Sequence, residues 1–161
     1  MQTSGFMNSE VNNMPEAVLL DSGFLIRLMN PDDSLHQVAL ELFKAYITNG
    51  VVCKVSTIAL AEYGVKGDLR YLPTKYLQYV PFVYRHAEVA SVFMRTIIKV
   101  KEERGAVISP RVIIPNDTKM FAQASAEPDV FAFVSADAEA KKVFDLLDNP
   151  NFDFVNIRDI K

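Results

Sequence analysis

The run Ala17-Val18-Leu19-Leu20, stopped abruptly by Asp21, constrains the fold more than any other stretch. Four consecutive apolar residues show neither the alternation of a half-buried strand nor room for a helical stripe. They read as a short strand covered on both faces, the condition of strands in parallel sheets. A second such run, residues 130–134 (VFAFV), ends at Ser135-Ala136-Asp137. Between and after them, helical and β-prone segments alternate. Residues 34–50 form a helix with Ser34 as its cap, Leu35, Val38, Ala39, Leu42 and Tyr46 on one stripe, and Asn49-Gly50 as its stop. Residues 51–55 are β-prone, and Ser56 or Thr57 caps a helix to about Lys66. Residues 86–104 form the longest helix, with Val89, Val92, Phe93, Ile97 and Val100 inward. Asn116 caps a helix to about residue 126, another helix covers 138–147, and a last strand lies near 152–157. Such alternation predicts an α/β domain with a mainly parallel central sheet flanked by helices.

Length and composition are consistent with this. The chain has 161 residues, half of them hydrophobic, enough for one domain with a sizeable core. Residues 1–16, polar and rich in Asn, Ser and Met, are expected to be a flexible arm, leaving 17–161 as the domain. One cysteine, Cys53, excludes an internal disulfide and a cysteine-based zinc cluster, and is expected to be a small core residue. The start has no basic and apolar leader pattern, and no apolar run suits a bilayer, so a cytoplasmic address without membrane contact is expected. A net charge of −3 argues against gripping nucleic acid by bulk charge alone.

The chemistry is expected to reside in acids that stand where apolar residues or strand ends belong. Asp21 ends the first strand and Asp137 follows the second buried one; ligands of open α/β sheets bind beyond strand carboxyl ends. Glu62 shares a stripe with Ile58 and Val65, and Asp117 precedes Met120 and Phe121 in a first helical turn. Each aspartate also has an ordinary role open to it: Asp21 and Asp137 as helix caps, Asp117 as a partner of the helix dipole. Glu62 facing inward needs a partner. Four converging carboxylates would repel, by roughly 4 kcal/mol for two charges ~4 Å apart at an effective dielectric of ~20. Either some carry protons or a divalent ion sits among them, and oxygen-only ligands suit Mg²⁺ or Mn²⁺. His36 and His86, near helix starts, are expected to be solvated surface residues.

In order and context these acids resemble the PIN domain, and within it the VapC-type toxin ribonucleases. The resemblance rests on VLLDSGFLIRLM around Asp21, VSTIALAEYGVKG around Glu62, NDTKMFAQASAE around Asp117 and VSADAEAKKV around Asp137. It spans about residues 18–157. It implies about five parallel strands, Mg²⁺ or Mn²⁺ held by Asp21, Glu62, Asp117 and Asp137, and metal-dependent cleavage of RNA. Ser22, Asn116 and Ser135 take supporting places beside the ligands. A homodimer and a small antitoxin partner are implied too. Ser-Ala-Asp stands where the family usually shows Thr-Asn-Asp, residues 68–84 are an insert, and few cations flank the acids: Arg27, Lys54, Lys66 and Lys119. A PIN-like binding module without nuclease activity is the alternative. A receiver-like phosphoacceptor domain is disfavoured, because no acidic pair ends the first strand. Tyr71, Tyr76, Tyr79 and Tyr84 of the insert either stack on unpaired bases or pack on the fold or another subunit.

Overall fold

A computed structural model describes residues 14–161. Residues 1–13 of the expected arm lie outside the described residues. The strands β1 (Ala17–Leu20), β2 (Val52–Ser56), β3 (Leu77–Val80), β4 (Val130–Ser135) and β5 (Asp153–Asn156) form one sheet in the order β3-β2-β1-β4-β5. Every pairing is parallel. The fold is thus a single α/β, PIN-like domain with a five-stranded parallel sheet, as the alternation of elements and the resemblance lead one to expect. All four β1 residues are completely buried, which explains their lack of alternation: helices cover the sheet on both faces.

Among the described residues six α-helices complete the domain: α1 (Ser22–Met29), α2 (His36–Thr48), α3 (Thr57–Lys66), α4 (Tyr84–Glu103), α5 (Asn116–Ala126) and α6 (Ala138–Phe144). Five phenylalanines knit α5 and α6 to the sheet. Phe121 meets Phe133 edge-on at 4.9 Å between ring centroids, and Phe144, Phe152 and Phe154 close around them. The buried rings of Phe121, Phe133 and Phe152 each contribute ~1.5–3 kcal/mol by leaving water, and the half-buried Phe144 and Phe154 contribute less. Cys53 is buried, and burial pushes its thiol up to about 12, so it is an inert core residue as expected.

Several local expectations are corrected. Ser34 caps nothing: α2 begins at His36, and Asp33 accepts the Leu35 N–H at 2.8 Å instead. Within the 68–84 insert, where the sequence allows a short strand around 79–83, β3 runs from Leu77 to Val80 and stops there, because Pro81 has no N–H to continue the ladder. Val92 is half exposed rather than inward.

β1 lies between β2, which continues to β3, and β4, which continues to β5 on the other side. The chain order therefore reverses at the β1/β4 boundary, and a crevice opens beyond the carboxyl ends of those two strands.

Candidate active site

That crevice is a cleft of about 710 Å³ lined by Asp21, Ser22, Glu62, Asn116, Asp117 and Asp137, among others. Four separate chain segments supply the acids, and each is placed by its own element. Asp21 follows β1 and caps α1: its Oδ1 accepts the Phe24 N–H at 2.6 Å. Its Oδ2 accepts the hydroxyl of Ser135, the last residue of the adjacent β4. The same Ser135 oxygen accepts the Asp137 N–H at 3.0 Å. Asp137 caps α6 through the Glu139 N–H at 2.8 Å. The capping role and the cleft position coexist, because a cap uses one carboxylate oxygen: the second oxygen of Asp21 takes the Ser135 hydroxyl, and Asp137 caps through Oδ1 alone.

Glu62, on α3, is held from both sides. Ser22 Oγ donates to its Oε2 at 2.9 Å, and Asn116 Nδ2 donates to its Oε1 at 2.7 Å. Its helical face opens onto the cleft, not the core, since Val65 on the same stripe is 83 % exposed. Asn116 is likewise not the cap of α5. Pro115 occupies that position, and the Asn116 side chain is engaged by Glu62.

The electrostatics link all four acids. Asp21 is only 4 % exposed, and burial pushes its pKa up to about 7. Hydrogen bonds from Ser135 and Phe24 oppose the rise, while the charges of Asp117 and Asp137 add to it. Asp117 is raised to about 6, first by burial, then by Asp137 and Glu62. The pattern is that of carboxylates short of a cation. Even so, among the described residues no three His, Cys, Asp or Glu side chains are gathered into a group that could hold a metal ion. The acids share a cleft and a field rather than a closed coordination shell.

Cations line the cleft too. Arg27 and Lys66 were visible in the sequence; Arg158, just past β5, was missed, its only signal being its place after a last strand. Lys119 lies 3.4 Å from Asn116 Oδ1, and Lys54 is elsewhere, buried against Glu127 and Asp129. The expectation for His86 is overturned. It is completely buried: its Nδ1 accepts the Val83 N–H at 3.1 Å, so its Nε2 bears the proton directed at Glu127, 3.0 Å away. His36 is half-buried, with Nδ1 3.0 Å from the Arg27 carbonyl. The four tyrosines of the insert are exposed.

A five-stranded parallel sheet of this order, with acids at the β1 and β4 ends, defines a PIN-like fold. Comparison with solved structures agrees. The chain is similar to a chain of VapBC2 from Rickettsia felis bound to a DNA fragment from their promoter, at TM-score 0.54 and 18% identity, covering 87% of this chain and 98% of that one. It is also similar to a chain of DNA-bound VapBC from Salmonella typhimurium, at TM-score 0.55 and 16% identity, covering 89% and 99%. At such identities the likeness is one of fold. No family model and no curated protein matches the chain. No helix among the described residues is long and apolar enough to cross a membrane.

Proposed function

We propose that the chain is a PIN-type endoribonuclease that depends on Mg²⁺ or Mn²⁺ and serves as the toxin of a toxin–antitoxin pair. One observation carries this reading: four carboxylates from distant segments face one cleft, and two of them have pKa values raised by burial and by neighbouring acids of the same cleft. The donor set is all oxygen, which fits a hard divalent ion. Asp21, Glu62, Asp117 and Asp137, which share the cleft without a closed coordination shell, would draw together to hold it, with residues 17–161 as the catalytic domain. Bound there, the ion would supply the charge that makes water a competent nucleophile and offsets charge on the phosphate. Ser135 fixes the Asp21 carboxylate through Oδ2. Ser22 and Asn116 occupy both oxygens of Glu62, which keeps that side chain aimed into the cleft.

The VapBC neighbours motivate the antitoxin, and we extend the reading to a homodimer acting in the cytoplasm. Light scattering behind gel filtration should find twice the 18.1 kDa chain mass; a clean monomer would remove the dimer. For the chemistry, Mn²⁺ should support cleavage of single-stranded RNA, EDTA should stop it, and Asp21→Asn should lower it by about 10²-fold or more. Protons compete with the ion for these carboxylates. Apparent Mn²⁺ affinity should therefore rise with pH through about 6 to 7, the range in which Asp117 and Asp21 lose their protons. Cleavage indifferent to both EDTA and the substitution would remove this reading, whereas a purified protein inert on varied RNAs and single-stranded DNA would favour the non-catalytic binding module.

A further inference from the structure

Three cations line the acidic cleft without neutralising it. Among the described residues, Arg27, Lys66 and Arg158 form no ion pair with any of the four carboxylates beside them. The two arginines are held by backbone oxygens instead. Arg27 Nη1 donates to the Gly23 carbonyl at 2.9 Å, and Arg158 Nε donates to the Ala136 carbonyl at 2.8 Å. Those carbonyls belong to residues that adjoin the acids: Gly23 lies two residues after Asp21, and Ala136 directly precedes Asp137. Each guanidinium is thus oriented by one tether, and most of its five donors remain free. A Cβ at Gly23 would lie 3.4 Å from both Arg27 Nη1 and Asp21 Oδ1, so both groups border the same small space, and the bare glycine keeps it open.

A cation beside a raised carboxylate would normally turn to it and form a bridge. Held off by its carbonyl, it is available to an anion that enters from solvent. The charge count agrees. Four ionised carboxylates against three cations leave one negative charge, and a divalent ion would reverse the sign, so the loaded cleft attracts anions.

We infer that Arg27 and Arg158 form a phosphate clamp: two tethered guanidiniums that grip backbone phosphates of a single-stranded RNA on either side of the bond placed over Asp21 and Asp137. Planar guanidinium forks match phosphate oxygens in pairs, and contacts of this kind set register rather than base sequence. The inference rests on the nuclease reading of the cleft. It adds the residues that hold the polymer and predicts recognition of backbone rather than of particular bases.

The test separates binding from cleavage. In an Asp21→Asn background, fluorescence anisotropy measures the affinity of a short labelled single-stranded RNA across a salt series. Arg158→Ala and Arg27→Ala should each weaken binding about tenfold or more at low salt. Each should also flatten the plot of log affinity against log salt by about 0.7 for every phosphate that the variant no longer neutralises. Arg158→Lys should recover the salt slope but not the full affinity, because a point charge lacks the fork. Lys44→Ala, which removes an exposed charge on α2 away from the cleft, is the control for bulk charge. If both arginine variants bind as the background protein does, or no worse than Lys44→Ala, the clamp is wrong, even where the parent protein cleaves RNA with Mn²⁺. If the parent protein binds the RNA with arginine-dependent affinity but never cleaves, the nuclease reading fails and the clamp stands. Arg158 is exposed and near the chain end, so that variant carries the test should Arg27→Ala lower the melting temperature.

Discussion

At about pH 8 and without divalent ions, Asp21→Asn should melt at a higher temperature than the parent protein, although it removes the residue on which activity is proposed to depend. The carboxyl of Asp21 ordinarily titrates near 3.8 and is raised to about 7 in the folded chain, chiefly by burial. Between those values the native state binds more protons than the unfolded one. Stability therefore falls as pH climbs through that interval, and the whole penalty is in force above about 7. A rise of about three pH units corresponds to at most ~4 kcal/mol. Asparagine suits the same contacts: its carbonyl oxygen accepts the Phe24 N–H, and its amide donates to Ser135 Oγ in the reverse sense of the present bond. A gain of about 2–4 kcal/mol, or roughly 5–15 °C for a chain of this size, is the expected result.

The gain should shrink as pH falls and vanish below about 4, where Asp21 is protonated in both states. Mn²⁺ should reverse the order at about pH 8, since an ion that binds the folded acids stabilises the parent protein and not the variant. Thermal melts of both proteins at several pH values, with and without Mn²⁺, decide the matter. Equal melting temperatures throughout would mean that Asp21 is solvated and ionised at no cost. The proposed site would then draw on none of the fold's stability.

How far this could be foreseen from the sequence depends on the kind of signal. Strand-end acids were legible because Asp21 and Asp137 interrupt fully apolar runs, and a parallel sheet brings the carboxyl ends of its strands to one edge. Glu62 was legible as an odd carboxylate on an apolar stripe, although the stripe turned out to face the cleft. Asn116 was recognised as part of the site but given a cap's role, since propensity favours Asn at helix starts and is blind to a partner 54 residues away. The one signal of Arg158, its place after the last strand, is too weak to use, because a lone arginine there looks like any other surface cation. Lys54, counted among the cations that flank the acids, and His86, expected on the surface, both lie buried elsewhere, because partners distant in sequence supply the opposite charge.

Lys54→Met should be among the most damaging single substitutions in the chain, at about 3–5 kcal/mol, although Lys54 is not in the cleft. Its side chain is 6 % exposed and meets Asp129 Oδ1 at 2.7 Å and Glu127 Oε2 at 3.2 Å. Burial pushes the Glu127 carboxyl upward, but hydrogen bonds from Arg85, His86 and Lys54 more than offset this and hold it below its ordinary range. Methionine fills much the same volume, so little of the loss comes from packing. It comes from leaving Asp129 without the cation it faces and Glu127 short of one, both largely out of water. Because Glu127 is favoured ionised in the folded chain, this contribution is present above about 4.5 and is lost as pH falls through the lowered value. The deficit of Lys54→Met should therefore narrow in acid, as the stranded carboxylates take up protons. Adding Glu127→Gln and Asp129→Asn should recover a large part of the loss at neutral pH, since it removes the buried charges together and leaves only the more exposed Arg85, which water can solvate. Urea unfolding of the single and triple variants measures both effects, and a single variant within ~1 kcal/mol of the parent protein would show the cluster to be incidental. The contrast with Asp21 is physical. Glu127 and Asp129, just past the end of α5, were given their cations by the fold, and losing one is destabilising. Asp21, in the cleft beside Asp117 at the start of that helix, has no cation paired with it among the described residues, and losing its charge is expected to stabilise the chain in the absence of a divalent ion.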